Sequence, residues 1–79
     1  MLIEIFGLPN CAYCKQAAEL CTAAGLDYVY TDLAKSPEQM DELESRIGRF
    51  KTVPQIFVDT KHVGGFDGLK EAMKNDNYN

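Results

Sequence analysis

Seventy-nine residues support one domain with a single core, because too little apolar side chain remains to build a second. Hydrophobic residues at 46% and charged residues at 25% match ordinary globular usage and exclude a disordered reading. A net charge of −4, from 12 acidic and 8 basic residues, argues against nucleic acid as the main partner, and without a long apolar run neither a membrane span nor a signal peptide is expected.

The opening Leu2-Ile3-Glu4-Ile5-Phe6 is a β-branched and apolar run that reads as a mostly buried strand, broken by Gly7, Pro9 and Asn10. A helix follows from about Cys11 to Ala24, with Ala17, Ala18, Leu20, Cys21 and Ala24 apolar at helical spacing and Gly25 placed for a left-handed cap. Tyr28-Val29-Tyr30-Thr31 is a second strand, and strand–helix–strand in so short a span predicts a parallel pair with a right-handed crossover. Ser36-Pro37-Glu38-Gln39 starts the next helix: Ser36 as cap, Pro37 in the first turn, Gln39 closing a capping box. Met40, Leu43 and Ile47 form its core stripe, Gly48 ends it, and the acidic run from Glu38 to Glu44 is its solvated face.

Gln55-Ile56-Phe57-Val58 reads as a third strand, turning at Asp59-Thr60-Lys61 into a short fourth around His62 and Val63, with His62 on the surface. Gly64-Gly65 breaks that strand, and Asp67 is the expected N-cap of a last helix through Lys74. The order is βαβαββα. One domain is expected over residues 1–74, with 75–79 a polar, frayed tail.

Cys11-Ala12-Tyr13-Cys14 lies where a strand loop gives way to a helix. The first helical turn leaves N–H groups unpaired and carries the positive end of the macrodipole. Both favour a thiolate at Cys11, below the free value of about 8.5, and Lys15 adds charge nearby. Cys11 therefore reads as the nucleophile, and Cys14, one turn further in, as the resolving sulfur of a thiol–disulfide exchange. A zinc site is the first competing reading. Cys14 and Cys21, seven residues apart on one helix, stand ~10.5 Å apart along its axis, too far for one ion. The second competitor, two merely buried cysteines, sits badly with a helix-entry position for Cys11. Cys21, in an alanine-rich stretch, reads as core packing. One close pair plus one single cysteine suits a reducing, cytoplasmic compartment.

Thr52-Val53-Pro54-Gln55 places a proline directly before a strand, where a trans bond is the commoner case. A cis bond there would turn the backbone of Val53 outward to hold an extended peptide. Gly64-Gly65-Phe66-Asp67 reads as a turn and cap, and also as an anion site with a carboxylate beside it, the charge pair a γ-glutamyl group would meet.

Together, Cys11-Ala12-Tyr13-Cys14, Thr52 to Asp59 and Gly64-Gly65-Phe66-Asp67 resemble the glutaredoxins, from Ile3 to about Met73. The resemblance implies an α/β thioredoxin-like fold in its minimal βαβαββα form, a four-stranded mixed sheet flanked by three helices. It implies a cis Pro54 facing the cysteine pair and glutathione as co-substrate. Tyr13 and Thr52 would line the glutathione groove, Val53 would offer backbone hydrogen bonds, and Phe66 and Asp67 would hold the γ-glutamyl end. It implies a monomer that reduces protein disulfides, ribonucleotide reductase being a family-typical client, or glutathione mixed disulfides.

Three departures from the family pattern stand out. Ala12 stands where the family's commonest dithiol motif has proline, and the resemblance implies that relatives with a small residue there sometimes hold a [2Fe–2S] cluster between two subunits through the first cysteine and glutathione. No lysine precedes Cys11 in Gly7-Leu8-Pro9-Asn10, leaving Arg49 or Lys51 as substitutes and thioredoxin reductase as an alternative reductant. Gly48-Arg49-Phe50-Lys51 is one residue longer than in many relatives.

Overall fold

The computed structural model describes residues 1–75. Seven elements follow in order: β1 (Leu2–Gly7), α1 (Ala12–Ala23), β2 (Asp27–Asp32), α2 (Glu38–Ile47), β3 (Gln55–Val58), β4 (Lys61–Gly64) and α3 (Phe66–Asn75). They form one four-stranded sheet in the order β2-β1-β3-β4. β1 runs parallel to β2 and antiparallel to β3, and β3 antiparallel to β4. This is the expected mixed sheet with three helices.

The period-2 alternation of the strands explains the layers. Ile3 lies opposite Val58 and Ile5 opposite Ile56, so these four share a face, which packs on Ala17 and Cys21 of α1 and Leu69 of α3. The intervening residues face the other way: Phe6 and Phe57 meet edge to face at 5.7 Å and pack under Leu33 and Leu43. Leu43, fully buried, is the anchor of α2, worth ~1.5–3 kcal/mol of transfer free energy. All four residues of β3 are buried.

Several local expectations need correction. The capping box at Ser36 does not form: Pro37 takes the N-cap place of α2, with helical φ −63° and ψ −22° and no side-chain cap bond. The cause lies upstream. Asp32 turns the chain through its carboxylate to the amides of Ala34 and Lys35, and its carbonyl takes the Ser36 N–H at 3.0 Å. Ser36 thus joins a turn that already leads into the helix. Met40 is 38% exposed, so only Leu43 and the half-buried Ile47 keep the α2 stripe. Asp67 is not the cap of α3: Gly65 O takes the Leu69 N–H at 3.0 Å, the helix begins at Phe66, and Asp67 lies in its first turn. Asn75, assigned to a tail, closes α3, while the rest of that tail, 76–79, falls outside the described residues.

Other signals hold. Gly25, just past the end of α1, adopts φ 70°, the left-handed cap that a residue without Cβ takes most easily. The expected hairpin turn is one residue shorter than Asp59-Thr60-Lys61: Asp59 and Thr60 form it, with φ of 50° and 71°, and Lys61 already opens β4. Asp59 also ties this turn to β1, its N–H donating to Leu2 O and its Oδ1 accepting from Leu2 N, both at 2.8 Å.

Candidate functional site

The site forms where the end of β1, the start of α1, the segment before β3 and the start of α3 converge. Cys11 is the N-cap of α1, with extended φ −116° and ψ 113°. That conformation points its side chain back over the first turn, where its Sγ accepts the N–H of Cys14 at 3.2 Å. An unpaired helix-end amide is thus aimed at the sulfur, the arrangement that favours negative charge there. Cys11 is half-buried and Cys14 fully buried, and the two are joined as a disulfide with Cα atoms 5.2 Å apart. Lys15 and Cys11 border the same shallow depression.

Two contacts position this pair. The Tyr30 hydroxyl donates to Leu8 O at 2.9 Å, pinning the loop between β1 and Cys11 to β2. Burial, with the Asp32 carboxylate as a smaller cause, raises the pKa of that phenol, so it stays a donor. Across the cleft, Val53 O stands 3.7 Å from Cys11 Sγ, and the Val53–Pro54 bond is cis. The backbone of Val53 therefore faces the sulfur.

Beside that contact opens a cavity of about 380 Å³ lined by Tyr13, Thr52, Val53, Pro54, Gly65, Phe66 and Asp67. The six groove residues named from the sequence thus share one wall, with Gly65 added. The Tyr13 and Phe66 rings lie 6.0 Å apart as its aromatic side. The Asp67 carboxylate, almost wholly exposed, stands 3.5 Å from Lys70 Nζ. A pair that open to water contributes little and leaves the carboxylate available to a ligand. Lys51 lines a second, more apolar cavity of about 280 Å³ on the other side of Thr52 and Val53, together with Leu8, Leu33, Met40 and Phe50. Neither Lys51 nor Arg49 is in the first cavity's lining.

Cys21 is fully buried among core residues, and burial pushes its thiol pKa up, as suits an inert packing residue. Among the described residues no three His, Cys, Asp or Glu side chains gather as a metal would need. Sequence reasoning overlooked the polar residues behind the groove. Gln55 is buried, donating to Thr52 O and meeting His62 Nε2, both at 2.8 Å. His62 is on the surface as expected, yet its ring also packs on Phe57 at 5.2 Å. A buried glutamine directly after Thr52-Val53-Pro54 was the available signal, because buried amides require partners.

The chain matches the glutaredoxin family model over residues 3–63. It is 39% identical to glutaredoxin 1 of Salmonella typhimurium, covering 100% of this chain and 97% of that protein. Among solved structures, reduced Escherichia coli glutaredoxin superimposes with a TM-score of 0.84 at 30% identity, covering 96% of both chains. A buckwheat glutaredoxin–glutathione complex matches with a TM-score of 0.77 at 25% identity, over 96% of this chain and 71% of that one.

Proposed function

Because the chain belongs to the glutaredoxin family of thiol–disulfide oxidoreductases, we propose that it reduces protein disulfides and glutathione mixed disulfides, with Cys11 attacking, Cys14 resolving and glutathione restoring the dithiol. The carrying observation is one sulfur with two neighbours: a helix-end amide 3.2 Å away that favours its thiolate, and the Val53 carbonyl, 3.7 Å away, at the mouth of the groove. The buckwheat protein's complex with glutathione supports the choice of reductant.

In the forward direction the Cys11 thiolate attacks one sulfur of a client disulfide, and the client's other sulfur leaves as a thiolate that takes a proton from water. Cys14, deprotonated, then attacks Cys11 Sγ and expels the client's second thiolate. This leaves the Cys11–Cys14 disulfide in which the protein stands here. One glutathione thiolate opens that bond at Cys11, restoring the Cys14 thiol and leaving a Cys11–glutathione mixed disulfide. A second attacks the glutathione sulfur, freeing oxidised glutathione and the Cys11 thiolate.

The groove residues divide the recognition. Tyr13 flanks the tripeptide, Thr52 and Pro54 form the floor, and Val53 offers its backbone to the cysteine unit. The helix start at Phe66 takes the γ-glutamyl carboxylate, and Asp67 takes its ammonium group, as charge complementarity requires. Residues 1–74 are proposed as the working domain, and a reducing cytoplasm as the compartment. A glutathione-ligated [2Fe–2S] cluster would draw on Cys11 alone from this protein, and disulfide closure with the adjacent Cys14 would compete for that ligand, which favours the catalytic reading over the carrier reading.

The test is reduction of a glutathione mixed-disulfide substrate coupled to glutathione reductase, run beside a thioredoxin reductase couple. We expect turnover with the glutathione couple, none in Cys11→Ser, and partial retention in Cys14→Ser, since the mixed disulfide at Cys11 can be released by glutathione directly. Turnover only with thioredoxin reductase would reassign the reductant, and equal, complete loss in both variants would remove the division of roles.

A further inference from the structure

One polar chain runs from the protein surface to the back of the groove. Gln55 Nε2 donates to Thr52 O at 2.8 Å, so the other end of the same amide, Oε1, is the acceptor facing His62 Nε2 at 2.8 Å. His62 must then carry its proton on Nε2. The imidazole is itself held against the Phe57 ring. The Arg46 guanidinium also packs on Phe57, 3.7 Å from its ring centroid, and pairs with both oxygens of Glu4 at 3.1 and 3.2 Å.

The consequence lies in the peptide that Gln55 grips. Thr52 C=O and Val53 N–H belong to one planar trans unit, in which carbonyl and amide point in opposite directions. Fixing the carbonyl on the Gln55 side therefore fixes the amide on the other. Among the described residues the Val53 N–H has no hydrogen-bond partner, and Val53 both lines the cavity and faces Cys11 Sγ through its carbonyl. We propose that Gln55, held by His62, is a positioning residue that aims the Val53 N–H at the substrate bonded to Cys11. The inference rests on the reading of this cavity as the glutathione groove. Neither residue touches the reacting sulfurs, so their effect belongs in substrate binding, not in the chemical step.

The experiment measures KM and kcat with the glutathione mixed-disulfide substrate for Gln55→Leu, His62→Ala, His62→Gln and Tyr13→Ala, with thermal unfolding alongside. Losing a hydrogen bond of ordinary net strength predicts a KM raised ~3–10-fold in Gln55→Leu and ~2–3-fold in His62→Ala. kcat should stay within about twofold of the parent. His62→Gln retains an N–H donor and restores the parent KM. A merely structural role would lower the melting temperature and kcat without this split. Should Gln55→Leu fail to fold, the two variants of exposed His62 decide the matter. Unchanged KM in His62→Ala, or no recovery in His62→Gln, overturns the proposal. Tyr13→Ala separates the two levels: if it raises KM while the Gln55 and His62 variants do not, only the positioning role falls; if it too leaves KM unchanged, the groove assignment falls with it.

Discussion

Replacing Gly7 by alanine tests the packing beneath the disulfide. Gly7 ends β1, and a Cβ there would stand 2.5 Å from Tyr30 Oη, 2.7 Å from Cys14 Sγ and 3.0 Å from Cys14 Cβ. Unstrained carbon contacts lie at ~3.5–4.0 Å, so both neighbours must move. Cys14 is bonded to Cys11 and its amide is engaged by the same sulfur, so it has little room. Tyr30 can withdraw only by releasing Leu8 O. Overpacking costs ~1–3 kcal/mol and the lost hydrogen bond ~1 kcal/mol, together ~2–4 kcal/mol. A domain of this length holds only ~4–12 kcal/mol, so the change removes a large fraction of it. Its melting temperature should fall by roughly 10–25 °C. The assay is urea unfolding of the oxidised protein, followed by circular dichroism. In a Tyr30→Phe background the hydroxyl is absent, the shortest contact disappears, and Gly7→Ala should cost measurably less. A loss under ~0.5 kcal/mol in the parent background would refute the packing argument.

Further outcomes follow from the same geometry. In the reduced protein, ultraviolet titration of the Cys11 thiolate should give a midpoint well below the ~8.5 of a free cysteine, and a midpoint at or above that value would show that the helix-end amide does not stabilise the charge. Burial raises the Cys21 pKa above that of an exposed thiol, so the folded state holds that proton more tightly than the unfolded chain does. The stability this contributes is complete below the unfolded thiol's pKa of ~8.5 and is lost as pH rises toward the raised folded value. In oxidised protein, where Cys11 and Cys14 do not titrate, unfolding midpoints across that range should fall less in Cys21→Ala than in the parent; parallel curves would contradict this. Thr60, a β-branched residue at φ 71°, should give way to asparagine with a gain of up to ~1 kcal/mol, read from denaturant midpoints, and a loss would mean its side chain contributes more than the turn costs.

Much of the site was legible because its logic is local. The Cys11 sulfur and the Cys14 amide are three residues apart, so a strand break, a helix start and a C-x-x-C spacing suffice to bring them together. The hairpin at Asp59-Thr60 is likewise settled by its own two residues and the apolar runs beside them. Even local signals failed where another turn intervened. Ser36 has the sequence of a cap, but Asp32 had already turned the chain and taken its amide.

What the amino-acid order determined alone is therefore the periodicity of each element and the charge-stabilising position of the attacking sulfur, while the starts of α2 and α3 were not read correctly. Tertiary structure decided which distant groups meet: Tyr30 with Leu8, 22 residues apart, Arg46 with Glu4, 42 apart, and Val53 with Cys11, also 42 apart. It also joined Gln55 to His62 across the β3–β4 pair, where a one-residue change of register would turn the histidine to the opposite face. Such contacts depend on strand order and register. Those are fixed by burying both faces of the sheet at once, a condition that no short stretch of the chain satisfies by itself.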